Sequence, residues 1–542
     1  MIDEYHSQGW ASITEPLNTE NFGGQRSVYT YYTLVNFLRK FYSVDILDDP
    51  AKYKNLEEYD ILILKPPNRP FSDEVIEHIT TFVEKGGGLL LIGDHTNLFS
   101  MSGYLNSISK QWGIEFVYDA LFDLKTGALT EYSPTSLFPH PITASITNYK
   151  FATPCSLNIN HTVRSVMKGR GLCSEMLDIS HVHFFGEIQA DPADRWGWFV
   201  KTAAQHVGKG RVIAFGDSTT FSSFSILMHD NPEFVLGIMN YLNRTNNTPS
   251  LRLIFLILGI IFIILSVYLG YKRRILPVVV VVFVLFMPFA LSVSSLIHLK
   301  LIDIHYVRPV TEQLNNLPTI AFATSHTTAQ TGHFIGMPPR ADDFSSFFLC
   351  FQRLGLWPRE TKDLQQMLKE GNIKLLVILN PDKPFSEADL NALEHYVRYG
   401  GRLLIADSVL NQESTLAPIL RIFGLQSRLR YQRLTIPVQQ DVENGQTSST
   451  VMLPMKTYWP ARMGVTLRHH PASGFPTLGL LEVEYRTGRV FVIMDSIMLS
   501  NATLGDPGMP PTPLQLELHQ KLFSIITNTV LGQNDAYSLP GY

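Results

Sequence analysis

Three short clusters in this 542-residue sequence carry side chains able to do chemistry: Asp3-Glu4-Tyr5-His6, Gly93-Asp94-His95 and Gly216-Asp217-Ser218. Carboxylates beside imidazoles are a donor set for a divalent metal, and they also suit acid–base chemistry on a sugar-like substrate. Asp94, His95 and His6 are therefore the candidate metal ligands, and Asp3, Glu4, Asp217 and Ser218 join them as candidate ligand-binding residues. The competing reading is structural: polar residues at strand ends cap neighbouring helices and take water, and spacing in sequence fixes no distances.

The elements that must position these residues occur twice. The first copy runs Tyr59-Asp60-Ile61-Leu62-Ile63-Leu64, Pro70-Phe71-Ser72, a helical stretch, Gly86-Gly87-Gly88 and Leu89–Ile92. The second runs Lys374–Leu379, Pro384-Phe385-Ser386, a helical stretch, Gly400-Gly401 and Arg402–Ile405, with spacings that agree within one residue. Ser72 and Ser386 stand where N-caps belong, and Ser386-x-x-Asp389 has capping-box spacing. Ile76, Ile79 and Phe82, like Leu390, Leu393 and Tyr396 or Val397, recur at helical spacing. The short apolar runs on either side read as strands buried on both faces of a parallel sheet. A second matched pair, Gly210–Ser218 and Gly488–Ser496, closes each copy, followed by expected helices at Pro232–Leu242 and Leu514–Val530. The fold class is thus α/β, with two doubly wound parallel-sheet domains at 1–250 and 300–542.

Between them, Leu253–Leu269 and Ile275–Ile297 are uncharged apolar runs of 17 and 23 residues. Each is long enough to cross a hydrocarbon core of roughly 30 Å, so 251–299 reads as a two-span transmembrane hairpin with the lipid bilayer and membrane proteins as partners. The basic loop Tyr271-Lys272-Arg273-Arg274 places that loop in the cytoplasm and both large domains outside. Met1-Ile2-Asp3-Glu4 is neither signal nor anchor, so either an upstream segment is missing or both domains are cytoplasmic.

The charge balance, 44 Lys+Arg against 48 Asp+Glu, argues against nucleic acid. The three cysteines, Cys155, Cys173 and Cys350, have no C-x-x-C spacing, which excludes a disulfide framework, a structural zinc site and an iron–sulfur cluster.

The run Phe82-Val83-Glu84-Lys85-Gly86-Gly87-Gly88-Leu89-Leu90-Leu91-Ile92-Gly93-Asp94-His95, with the later His140-Pro141-Ile142-Thr143 and Gly208-Lys209-Gly210-Arg211-Val212, resembles the class I glutamine-amidotransferase-like superfamily. Within it, the trehalose-utilisation (ThuA-like) branch and the extracytoplasmic domains of gliding-motility ABC-transporter accessory proteins of bacteria are most similar. The resemblance implies a flavodoxin-like sheet in both domains and adds His140 to the candidate ligand-binding residues. Amidotransferases carry a cysteine nucleophile after the strand occupied here by Leu89–Ile92; this chain has Gly93-Asp94-His95 there, and Ala406-Asp407-Ser408 in the second copy. Amide transfer through a thiolate is thereby disfavoured. Asp407 aligns with Asp94 and His326 with His6, while Asp3-Glu4 becomes Ala323-Thr324, so any site belongs to the first domain.

Phe215-Gly216-Asp217-Ser218 also resembles the first block of GDSL-type hydrolases, but it closes the domain and no Asp-x-x-His follows. Trp196-Gly197-Trp198 could stack on a sugar, with a core or interface role as the alternative. The sequence points first to a non-enzymatic, membrane-anchored scaffold in an envelope transport or assembly complex, without a cofactor. The alternative is a metal-assisted ThuA-like enzyme acting on a carbohydrate from the first domain.

Overall fold

The computed structural model describes residues 1–8, 10, 12, 30–123, 135–147, 149–176, 192–223, 225–243, 260–261, 264–268, 270–272, 308–331, 343–353, 356–370, 372–437, 448–460, 467–470, 480–493, 495–505 and 512–532. Its contacts divide the chain into two compact units. The first comprises Met1–Ala11, Tyr42–Thr220 and Glu233–Glu312; the second comprises Ser12–Phe41, Phe221–Pro232 and Gln313–Tyr542. Both are mixed α/β structures with parallel-rich sheets.

The first unit contains β1 (Ile2–Asp3), β2 (Ile46–Leu47), β3 (Ile61–Leu64), β4 (Gly88–Ile92), β5 (Ile114–Phe116), β6 (Asp119–Asp123), β7 (Thr135–Leu137), β8 (Leu157–Ile159), β9 (Arg164–Met176), β10 (Arg195–Val207) and β11 (Gly210–Phe215). Their order is β2-β1-β3-β4-β11-β10-β8-β5, and β9 pairs with β10, β6 and β7. The first five strands run parallel; β10, β8 and β5 continue the sheet antiparallel.

Parallel pairing of β3 and β4 needs a crossover, supplied by the helix Asp73–Glu84. Ser72 caps it by accepting from the Val75 N–H, and Asp73 and Glu74 favour the positive end of its dipole. Val75, Ile79, Phe82 and Val83 turn inward, each contributing roughly 1.5–3 kcal/mol by burial. Gly86, at φ +115°, ends the helix in a conformation that strains any side chain.

The second unit repeats this plan with β12 (Thr319–Ala323), β13 (Trp357–Thr361), β14 (Ile373–Leu379), β15 (Arg402–Ala406), β16 (Leu425–Pro437), β17 (Ser448–Pro460), β18 (Leu467–His470), β19 (Leu480–Tyr485) and β20 (Gly488–Ile493). Its main sheet has the order β13-β12-β14-β15-β20-β19-β18, while β16 and β17 form a separate two-stranded sheet. Ser386 caps the helix Glu387–Arg398 within a complete capping box to Asp389.

Strand register refines the repeat. Arg211 pairs with Gly88 and Phe215 with Ile92, while Arg489 pairs with Arg402 and Ile493 with Ala406. Ile92 and Ala406 are therefore equivalent, so Asp407 corresponds to Gly93, and Asp94 corresponds to Ser408. The expected match of Asp407 with Asp94 is shifted by one residue, which moves the side chain to the other face of an extended strand.

One expectation is overturned. Among the described residues no helix is long and apolar enough to cross a membrane. Hydropathy counts apolar residues, but crossing requires about 20 of them in one continuous helix. The two-span membrane placement and the sidedness of Tyr271–Arg274 fall with it. All of Ile275–Ile297 and much of Leu253–Leu269 lie outside the described residues.

Candidate functional site

In parallel α/β sheets the ligand-accessible edge is the one beyond the carboxyl ends of the strands. In the first unit this edge carries two separate polar clusters.

The first lies beyond β1 and β3. His6 Nδ1 is 3.1 Å from Asp3 Oδ2 and 3.2 Å from the Tyr53 hydroxyl, and the His6 ring packs 4.2 Å, centroid to centroid, from Phe71. Burial and the Asp3 charge push the Tyr53 phenol well up. Beside them, Lys65 follows the apolar strand β3, its ammonium donating to Glu4 and, at 2.6 Å, to the Trp10 carbonyl. Burial pulls this amine down, against the opposing pull of Glu4 and Asp3.

The second cluster lies beyond β4 and β11. Ser218 Oγ donates to Asp94 Oδ2, and the other Asp94 oxygen accepts from the His95 N–H at 2.8 Å. Asp217 accepts from the Ala152 N–H at 2.6 Å and the Thr219 N–H at 3.0 Å. Lys201, fully buried on β10, places its ammonium 3.9 Å from the centre of the Phe151 ring. Burial raises Asp94 to about 7, and burial with the neighbouring Asp94 charge raises Asp217 to about 7. Burial lowers Lys201 to about 7 against the attraction of Asp217. Such a carboxyl pair can exchange a proton near neutral pH. Buried Cys155 adjoins it through the Cys155 N–H to Gly216 carbonyl bond, and its thiol is pushed well up by burial and nearby carboxylates. A thiol in that state is a poor nucleophile.

Past Asp94 the backbone is strained: Thr96, Asn97, Phe99 and Ser100 all have φ between 50° and 65°. Local hydrogen bonds hold the turn, from the Gly103 N–H to Asn97 Oδ1 and between His95 Nδ1 and Thr96 Oγ1.

The structure thus joins Asp94 with His95, Asp217 and Ser218, and Asp3 with His6, but sends Glu4 to Lys65. His140 belongs to neither cluster: its Nδ1 accepts from the Ile142 N–H at 3.3 Å and its ring packs 4.7 Å from Tyr241. His95 Nε2 lies 3.8 Å from Asp94 Oδ1, while His6 is taken up by Asp3 and Tyr53. Among the described residues no group of three or more His, Cys, Asp or Glu could hold a metal ion. Trp196 and Trp198 are 55% and 54% exposed on β10.

Sequence reasoning missed Lys65, Tyr53 and Lys201. The two lysines do leave a signal, a single cation at the end of or inside a run of apolar and small residues; Tyr53 leaves none.

In the second unit His326 stacks on Phe385, with centroids 4.0 Å apart and planes 6° apart, as His6 packs on Phe71. The His326 carbonyl accepts from the Asp382 N–H at 3.0 Å, and the His6 carbonyl from the Asn68 N–H at 2.7 Å. The acid differs: His326 Nε2 is 3.3 Å from Asp389, the capping-box residue.

Residues 344–509 match a family described as "Domain of unknown function (DUF4350)". No curated protein matches the chain. Solved structures that part of the chain matches include one titled "mmIFT52 N-terminal domain", at 14% identity and TM-score 0.32, covering 44% of this chain and 95% of that one. A second is an exo-β-1,4-mannosidase from Opitutaceae bacterium strain TAV5, at 14% identity and TM-score 0.26, covering 43% of this chain and 40% of that one. A third is a cytoplasmic protein from Salmonella typhimurium, at 11% identity and TM-score 0.28, covering 39% of this chain and 86% of that one. Each of these likenesses covers less than half of this chain.

Proposed function

We propose that the chain is a non-enzymatic binding protein whose two units are doubly wound, amidotransferase-like domains serving as a scaffold in a larger assembly. One observation carries this reading: the polar residues at the first unit's strand ends bond to one another and to local backbone. Ser218 and the His95 N–H engage Asp94, the Ala152 and Thr219 N–H groups engage Asp217, His6 engages Asp3, and Lys65 engages Glu4. Asp3, His6, Lys65 and Asp217 are at most 1% exposed. Groups so enclosed stiffen the sheet's edge and hold its loops in shape.

The test is a turnover screen of the purified chain against aryl glycosides, aryl esters and glutamine, with metal analysis alongside. The expected result is no turnover above that of an Asp94→Asn/Asp217→Asn variant. Turnover that the double substitution abolishes would replace this reading with acid–base catalysis by the buried carboxyl pair.

A further inference from the structure

The polar edge of the second unit differs from that of the first at positions the strand registers identify. In the first unit Gly113, at φ +77°, leads into β5, and in the second Gly424, at φ +73°, leads into β16. Phe116 then pairs with Leu157 in the first unit, as Ser427 pairs with Tyr458 in the second. Tyr458 thus stands where the first unit has Leu157, and Asp407 where it has Gly93. Both changes put a side-chain oxygen where the first unit has none. A third change removes a cation. Thr202 pairs with Phe215 and Leu480 with Ile493, so the counterpart of Lys201 is Gly479, a residue outside the described ones that carries no side chain.

These positions meet at the carboxyl end of the sheet. Asp407 follows β15 directly and Asp495 stands two residues beyond β20, its parallel neighbour, and the Ser496 N–H donates to the Asp407 carbonyl at 3.1 Å. Leu403 and Ile405 belong to the core that contains Tyr458, and Asp407, two residues further on, continues the same face. Tyr458 is 3% exposed, and its hydroxyl has no hydrogen-bond partner among the described residues. A buried hydroxyl left without a partner is costly. Burial pushes its phenol well up and the charges of Asp407 and Asp495 add to this, so both carboxylates act on the hydroxyl. Neutral donors hold the carboxylates: Asp407 accepts from the Ser408 N–H at 3.0 Å, the Asn411 amide at 2.9 Å and the Ser414 hydroxyl at 2.6 Å, and Asp495 accepts from the Ile497 N–H at 3.2 Å. Asp495 and Ser414 are half-buried and Ser427 is exposed, so the cluster reaches the surface.

We propose that Asp407, Asp495 and Tyr458 bind a primary ammonium, which takes in the second unit the part that Lys201 plays beside Asp217 in the first. An ammonium has three N–H donors and no acceptor, which suits two carboxylates and a hydroxyl oxygen. A divalent metal fits less well, because among the described residues no group of three or more His, Cys, Asp or Glu could hold one. The ammonium can come from a lysine side chain of a partner protein or from a free alkylamine. All three residues lie within 344–509, the stretch that matches the domain family. This site is independent of whether the first unit catalyses a reaction.

The experiment uses the full chain and fluorescein-cadaverine, which ends in a primary ammonium, followed by anisotropy. Saturable binding is expected, displaced by pentylamine and not by pentyltrimethylammonium, which keeps the charge but has no N–H. Tyr458→Phe should weaken binding by at least about fivefold without lowering the melting temperature, since it removes only an unpartnered hydroxyl. Asp495→Asn, which can still accept from the Ile497 N–H, should weaken binding by at least about tenfold. A labelled peptide with a single internal lysine distinguishes the sources: tighter binding of the peptide identifies a partner's lysine, tighter binding of cadaverine a free amine, and either supports the site. Absence of saturable binding, equal displacement by the trimethylated amine, displacement by calcium at the same concentration as pentylamine, or unchanged affinity in Tyr458→Phe would overturn the proposal.

Discussion

His6 and His326 occupy the same place in the two units and pack on the same phenylalanine of a Pro-Phe-Ser turn, yet they take their carboxylate from different elements. In the first unit the acid is Asp3, at the end of β1 just before His6; in the second it is Asp389, on the helix after the turn. Where Asp3 stood, the second unit has Ala323, and where Asp389 stands the first has buried Val75. What the repeat retains is the imidazole on its aromatic shelf and the backbone bond to its carbonyl. The acid can move so long as some acceptor satisfies the buried ring. That is how residues behave when they hold a turn in place, and it supports a structural role for the first unit's strand-end residues.

The equivalence is tested most severely where both units are tightest. A Cβ on Gly210 would lie 2.1 Å from the Val83 carbonyl oxygen, and one on Gly488 would lie 2.0 Å from that of Val397. Both contacts are with backbone, so Gly210→Ala and Gly488→Ala should each destabilise their unit by about 3 kcal/mol or more. Denaturant unfolding followed by hydrogen exchange in each unit measures this, and a mild effect at either site breaks the repeat.

Removing the acids should separate the units. Asp3→Ala strands a buried imidazole and should cost about 2–3 kcal/mol. Asp389→Ala loses a more exposed cap and should cost about 1 kcal/mol. Equal costs would mean that the two histidines depend on their acids in the same way.

A pH effect should mark the first unit. Asp94 and Asp217 sit at about 7, whereas free carboxyls titrate near 4. Their contribution to stability is complete below about 4 and is lost as pH rises through about 7. Exchange protection of β4 and β11 should fall across that window, and Asp217→Asn should flatten the fall. An unchanged slope in the variant would show that these carboxyls are not its source.

The smallest difference concerns the helix caps. Ser72→Ala should cost about 0.5 kcal/mol and Ser386→Ala about 1 kcal/mol, because only Ser386 belongs to a reciprocal box. The reverse order would show that the box adds nothing here.

Much of this frame was legible in the sequence. The apolar runs that became β3, β4, β14 and β15, the serine caps and the closing Gly-Arg-Val strands are local signals, written in neighbouring residues. What stayed hidden is long-range. No spacing rule brings Lys201 beside Asp217, or Tyr53 to His6, because each pair depends on how distant strands and turns pack. The stagger of Asp407 was invisible because the glycine runs Gly86–Gly88 and Gly400–Gly401 can be aligned in either of two ways. The ribbon of β16 and β17 escaped because Arg428, Arg430 and Arg433 break the apolar alternation by which a strand is read. The apolar stretch near the middle misled, since composition does not establish one continuous spanning helix.

The stagger at Gly93 also limits how the two units could exchange parts. A Cβ on Gly93 would lie 2.5 Å from the Phe116 ring, and the position of Phe116 along β5 is taken along β16 by Ser427. Where the first unit has a glycine facing a phenylalanine, the corresponding positions of the second hold an aspartate and a serine, the larger residue on the other side. A graft of Asp407–Ser414 into the first unit would drive a carboxylate into an aromatic ring unless Phe116 were replaced with it. Among relatives of this chain, the two positions should therefore vary as a pair.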